Sequence, residues 1–116
     1  MAGIQWGANL STKKGSHLEE TYLLQILAAG LPEPEREVQV SDGRRIKHDF
    51  CWRDKKILVE IQGAVWVKGG HSTGTGINRD AGKLNVSTLA GWKTFIFTGD
   101  HLKSGQALEW TKEALW

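Results

Sequence analysis

The chain has 116 residues, of which 40% are apolar and 24% charged, and its formal net charge is +2. These values are typical of one folded domain and exclude a disordered or collagen-like protein. A single cysteine, Cys51, excludes a disulfide scaffold and a cysteine-based zinc site. The apolar runs are too short to span a membrane, and the N-terminus lacks a signal-peptide pattern. We therefore expect a cytoplasmic protein without a membrane segment.

Residues 1–15 show no hydrophobic periodicity and are predicted to be a flexible arm, followed by a single domain over 16–116. Ser16 and Glu19 make a capping box, and apolar residues at helical spacing predict a helix that ends near Gly30. Alternating apolar residues then predict three strands, with the tight turns typical of antiparallel neighbours. These strands are expected over residues 37–40, 45–52 and 56–62.

The second half of the chain begins with a glycine-rich stretch, residues 63–76, which is predicted to be a loop. A second helix is expected from Ile77 to Gly91, then a buried-type strand and a closing helix, over 93–98 and 107–115. The order α-β-β-β-α-β-α predicts an α/β (α+β) fold with a C-terminal helix. Its mixed central sheet is expected to combine an antiparallel hairpin with a final strand that is reached by a crossover connection.

The charges are unevenly distributed along the chain. Residues 63–103 carry five cationic side chains against two acidic ones, a local balance of +3: Lys68, Arg79, Lys83, Lys93 and Lys103 against Asp80 and Asp100. A one-sided basic surface is typical of proteins that bind phosphate polyanions. A mixed, solvated surface explains the same charges equally well.

Two carboxylates stand out, one on each of two successive predicted strands. Glu60 and Gln62 share one face of their strand because side chains alternate, and Asp49 on the preceding strand can face the same way. Two converging carboxylates and a backbone carbonyl suit Mg²⁺ or Mn²⁺. Such an ion can activate water and stabilise a phosphoryl transition state. The alternative is a solvated strand face, on which Glu60 pairs with Lys47 across the hairpin.

These residues lie in an order that resembles the PD-(D/E)xK nuclease superfamily, whose members share the restriction-endonuclease-like αβββαβ core. The resemblance rests on a glutamate-bearing helix, an aspartate before a hairpin, and a glutamate after it. Within the superfamily, the chain is similar to the small branch of very-short-patch repair and phage-encoded endonucleases, over about residues 16–115. The segments that carry this similarity are 16–20, 48–50, 59–63, and the stretch from Gly70 to Trp92.

The resemblance implies roles for individual residues. Asp49 and Glu60 match the two metal-ligating carboxylates, and the backbone carbonyl of Ile61 would complete the coordination of Mg²⁺, with Mn²⁺ as a substitute. Glu19 matches the helix-borne glutamate, which supports the metal site or binds a second metal ion.

The chain departs from the family pattern at two positions. His48 replaces the motif proline, with an effect expected only on the local turn, and Gln62 replaces the usual lysine. Lys83 on the following helix is our candidate to replace that lysine, with Arg79 one turn earlier. His71 in the glycine-rich loop is a general base, a residue that steadies the scissile phosphate, or a surface residue without a role.

The resulting hypothesis is a Mg²⁺-dependent DNA endonuclease of DNA repair or recombination that recognises duplex, branched or mismatched DNA by shape. Cleavage of both strands would need two copies, so a homodimer is expected. The alternative is a catalytically weakened nuclease-fold module that binds DNA, which the missing lysine favours. The residues expected to contact DNA are Trp66, Lys68, His71, Arg79 and Lys83.

Overall fold

A computed structural model describes residues 16–40, 46–63 and 74–116, with side chains described over 17–40, 46–63 and 81–116. Its elements are four helices and four strands in the described parts of the chain. In order, they are α1 (Ser16–Ala28), β1 (Glu35–Val38), β2 (His48–Trp52), β3 (Ile57–Gln62), α2 (Gly74–Leu89), β4 (Lys93–Thr98), α3 (Gly99–Ser104) and α4 (Gln106–Leu115). None of the described helices is long and apolar enough to cross a membrane.

The four strands form one mixed sheet in the order β1-β2-β3-β4. The β1–β2 and β2–β3 pairs are antiparallel, and the β3–β4 pair is parallel. A short 3₁₀ turn at Arg53–Lys55 links β2 to β3, and α2 is the crossover between the two parallel strands. This arrangement confirms the predicted α+β class and the mixed sheet.

The main core lies on the sheet face covered by α1, α3 and α4. Tyr22 of α1 is fully buried, and its ring contacts those of Phe50 and Phe97 at centroid distances of 5.1 and 5.7 Å. Its hydroxyl donates to Thr111 Oγ1 at 2.6 Å, and Thr111 in turn donates to a helix carbonyl in α4. Because apolar burial is the main stabilising contribution, this core fixes α1 against the strands.

The opposite face carries a smaller apolar cluster and α2. Leu58 and Cys51 are buried there, with Trp92 packed beside them. Ser87 of α2 bonds to Thr94 of β4, with 2.6 Å between the two hydroxyl oxygens. This contact anchors the C-terminal half of α2 to the sheet and determines which residues of the preceding turn face β3.

Several element boundaries differ from those predicted. The first strand lies two residues earlier, where Glu35 is tied to Arg53 by two hydrogen bonds of 2.9 and 3.0 Å. The second helix begins at Gly74, within the predicted loop. The helix α3 was not predicted at all, because it is only six residues long and has no apolar periodicity. Its capping box, formed by Thr98 and His101, was the available signal.

The regular alternation of side chains between the two faces of the sheet breaks beside Asp49. Glu37 has a left-handed backbone (φ 52°) and lies opposite Asp49, between the register pairs Arg36↔Phe50 and Val38↔His48. Phe50 packs in the main core, whereas Val38, the partner of His48, packs in the cluster on the α2 face. His48 therefore lies on the α2 face, where it contacts Glu60. A left-handed non-glycine residue costs roughly 1–2 kcal/mol, and irregularities of this kind re-aim side chains.

Candidate active site

Asp49 and Glu60 lie at the end of the β2–β3 ladder. The antiparallel register ends at Phe50↔Val59, and Asp49 and Glu60 are the next residue on each strand. Their carboxylates lie close enough for Glu60 to raise the pKa of Asp49 by repulsion. The backbone N–H of Ile61 donates to Asp49 Oδ2 at 2.7 Å, which fixes that carboxylate at the end of the β2–β3 hairpin.

Glu60 is held from two sides. Lys83 of α2 donates to Glu60 Oε1 at 2.9 Å, and His48 Nδ1 bonds to Glu60 Oε2. The position of Lys83 follows from helix geometry, since Lys83 lies one turn before the anchored Ser87 and on the same helix face. The Glu60 side chain is only 13% exposed, so both bonds are protected from bulk water. Glu60 therefore does not pair with the exposed Lys47, as the solvated-face alternative required.

Asp49 lies in an acidic and partly dry environment. The pKa of Asp49 is raised from its ordinary value of 3.8 to about 6, and burial is the largest cause. Repulsion by the carboxylates of Glu19 and Glu60 contributes to this increase, whereas the Ile61 N–H bond and Lys83 oppose it. A carboxylate in this environment gains stability from a nearby cation. The site is therefore electrostatically suited to bind one.

Glu19 belongs to the site through its effect on Asp49, and Arg36 holds it in place. Arg36 Nη2 lies 3.4 Å from Glu19 Oε1, and Nη1 lies 2.6 Å from Glu20 Oε2. The guanidinium also lies over the Phe50 ring, 5.0 Å from its centroid. The edge strand β1 thus connects α1 to the strand that carries Asp49.

The donor atoms of the site fit a hard cation. Among the described residues, no three His, Cys, Asp or Glu side chains are arranged to hold a metal ion. Mg²⁺ does not require such a set, because it commonly binds one or two carboxylates and keeps several water ligands. Asp49 and Glu60 supply oxygen donors, and the two acidic neighbours of Asp49, Glu19 and Glu60, outnumber its one cationic neighbour, Lys83. These two residues therefore fit Mg²⁺ or Mn²⁺.

The structure locates some of the remaining predicted residues. Gln62 is the last residue of β3, two positions after Glu60, and pairs with Thr98 in the parallel register. Arg79 lies in α2, four residues before Lys83. Three residues predicted to bind DNA lie outside the described residues, namely Trp66, Lys68 and His71. The predicted N-terminal arm, residues 1–15, also lies outside them.

Two neighbours of the carboxylates were not assigned a site role from the sequence. His48 was expected to affect only a local turn, but it contacts Glu60. The available signal was its position next to Asp49, although regular strand alternation fails there, beside the left-handed Glu37. Arg36 precedes the predicted boundary of the first strand, and no local pattern links it to Glu19. Comparisons with family models, curated proteins and solved structures found no match to this chain.

Proposed function

We propose that the chain is a divalent-metal-dependent DNA endonuclease of the PD-(D/E)xK type, which hydrolyses phosphodiester bonds. The observation that carries this proposal is the proximity of the Asp49 and Glu60 carboxylates at the end of the β2–β3 ladder, with Lys83 bonded to Glu60 at 2.9 Å. Two strand-borne carboxylates beside one ammonium group are the components that this chemistry needs. The mixed β1-β2-β3-β4 sheet, with α1 and α2 on opposite faces, also supports the resemblance.

Asp49 and Glu60 would hold the metal ion, with the Ile61 carbonyl and Glu19 as the further contributors implied by the resemblance. When bound, the ion would offset charge on the phosphate and lower the pKa of a bound water molecule. The Ile61 N–H keeps Asp49 oriented before any substrate arrives, because it already bonds to one carboxylate oxygen. The other carboxylate is positioned by a helix on one side and a buried imidazole on the other.

Lys83 would supply the positive charge that the motif lysine supplies elsewhere in the family. Its ammonium group is attached to α2 rather than to β3, but it lies against the same carboxylate. The side chain is 22% exposed, so part of the ammonium surface can still face a substrate phosphate. Gln62 is therefore compatible with turnover, because the cation is provided by another element.

DNA is the proposed partner, recognised by its shape. Helix α2 carries Arg79 one turn before Lys83, so a phosphate backbone that follows this helix would approach the carboxylates. Phosphate contacts position a duplex without reading its bases. We expect affinity to fall with salt, with a logarithmic slope of roughly one per phosphate contacted. Mismatched, flapped and branched DNA should be preferred because it bends easily.

To test this proposal, the purified chain is incubated with supercoiled plasmid in the presence of Mg²⁺, Mn²⁺ or EDTA. Cleavage rates are then compared among matched, mismatched, flapped, single-stranded and four-way-junction DNA substrates. We expect nicking with either metal and none with EDTA, and faster cleavage of the distorted substrates. Asp54→Asn is a matched control because Asp54 is exposed in the turn between β2 and β3. This variant should cut like the wild type.

Two results would change the proposal. DNA binding without cleavage in either metal would favour the second candidate, a non-catalytic DNA-binding module, because Lys83 and His48 already engage both Glu60 oxygens. Cleavage confined to one short sequence in perfect duplex would contradict recognition by shape.

A further inference from the structure

His48 occupies an unusual position for a strand histidine. Its side chain is 1% exposed, yet its ring contacts a carboxylate rather than apolar groups alone. The alternation of side chains breaks between Phe50 and His48, beside Glu37, whose φ is 52°, and Val38, the register partner of His48, packs in the cluster on the α2 face. A dry hydrogen bond of this kind is strong and directional because water does not compete for either partner.

The direction of the bond follows from the proposed role of Glu60. A carboxylate that binds a cation is ionised and can only accept, so in that role the Nδ1–H of His48 donates to Glu60 Oε2. A carboxylate has about four lone-pair sites on its two oxygens. One bond from His48 and one from Lys83 therefore leave Glu60 able to bind a cation.

We propose that His48 is a positioning residue, which orients Glu60 as a metal ligand through its Nδ1–H. This inference rests on the proposed metal-dependent function. Hydrogen-bond partners of metal ligands fix the orientation of the ligand, and their loss typically weakens metal affinity or activity by about 10- to 100-fold.

Two amide variants test the role of the Nδ1 atom. The side-chain nitrogen of asparagine can occupy the position of Nδ1, whereas that of glutamine reaches the position of Nε2. In a titration with Mn²⁺ alone, followed by electron paramagnetic resonance, we expect His48→Gln to bind about 10- to 100-fold more weakly than wild type. His48→Asn should keep most of the affinity. Thermal unfolding without metal checks that both variants fold.

The outcomes separate this inference from the proposed function. Wild-type protein that does not bind Mn²⁺ would overturn the proposed function. If the wild type binds Mn²⁺, two results would overturn the positioning role alone. One is that His48→Gln binds Mn²⁺ as well as the wild type, and the other is that His48→Asn binds it no better than His48→Gln.

A measurement on the wild type avoids any folding defect. Long-range ¹⁵N correlation spectra should show a protonated Nδ1 on His48 both before and after addition of Mg²⁺. Loss of that proton in the Mg²⁺-bound protein would contradict the proposal.

Discussion

Replacing Asp49 with asparagine should abolish cleavage and, without metal, make the protein more stable at pH 7.5. Asparagine can still accept the Ile61 N–H bond, but it carries no charge to bind a cation or to repel Glu19 and Glu60. Since the pKa of Asp49 is raised to about 6, the gain in the free energy of unfolding should be about 1–3 kcal/mol. Urea unfolding and plasmid nicking measure the two effects.

The pH dependence of this gain follows from the direction of the shift. The folded state holds the Asp49 proton more tightly than the unfolded chain, for which the ordinary value is 3.8. The stability contributed by protonated Asp49 is therefore complete below 3.8 and is lost as the pH rises through about 6. The difference between variant and wild type should be largest above that range and vanish in acid. An active or destabilised Asp49→Asn protein would contradict the assignment.

Replacing Lys83 with methionine should lower kcat by roughly 100- to 1,000-fold, which is the effect of removing one group that stabilises transition-state charge. KM for DNA should change little, because a group that acts in the transition state affects turnover rather than binding. Affinity for Mn²⁺ should not fall, since Lys83 competes with a cation for Glu60 Oε1. Single-turnover and steady-state cleavage measure both parameters.

Two further variants complete the Lys83 experiment. Lys103→Met is the control for lost positive charge, because Lys103 is exposed on α3 and should be replaceable without effect on kcat. Gln62→Lys, added to Lys83→Met, restores the usual motif and should recover part of the rate. Normal cleavage by Lys83→Met would show that another cation serves the reaction.

The parts of the fold with strong local patterns were predictable from the sequence. The strand at Lys93–Thr98 has the predicted bounds, and the first helix ends before Gly30, which has a positive φ of 75°. The first strand was misplaced because its position depends on distant partners, namely the register with Cys51 and the ion pair between Glu35 and Arg53. Non-local pairing of this kind leaves no signature in the strand itself.

At the candidate site too, features with a local sequence pattern were predictable, whereas those that depend on distant partners were not. Alternation along two neighbouring strands predicted that Asp49 and Glu60 converge, and in the structure Glu60 is close enough to raise the pKa of Asp49. The contact between Lys83 and Glu60 agrees with the expected location of a replacement cation, although its role in catalysis stays a prediction. His48 could not be assigned because the alternation that located Asp49 fails at the irregularity opposite Glu37. A periodic pattern cannot reveal a residue whose orientation depends on a break in that pattern.

The most direct test of the proposed metal site is a titration of the Asp49 carboxyl carbon by ¹³C nuclear magnetic resonance, with and without Mg²⁺. Without metal, the midpoint should lie at about 6, because burial and the neighbouring carboxylates raise this pKa. With Mg²⁺, it should move to lower pH, since a bound cation favours the ionised form. Glu35, exposed and paired with Arg53, is an internal control whose midpoint should not respond to Mg²⁺. An Asp49 midpoint near the ordinary value of 3.8 that does not change with Mg²⁺ would contradict a metal centre at Asp49 and Glu60.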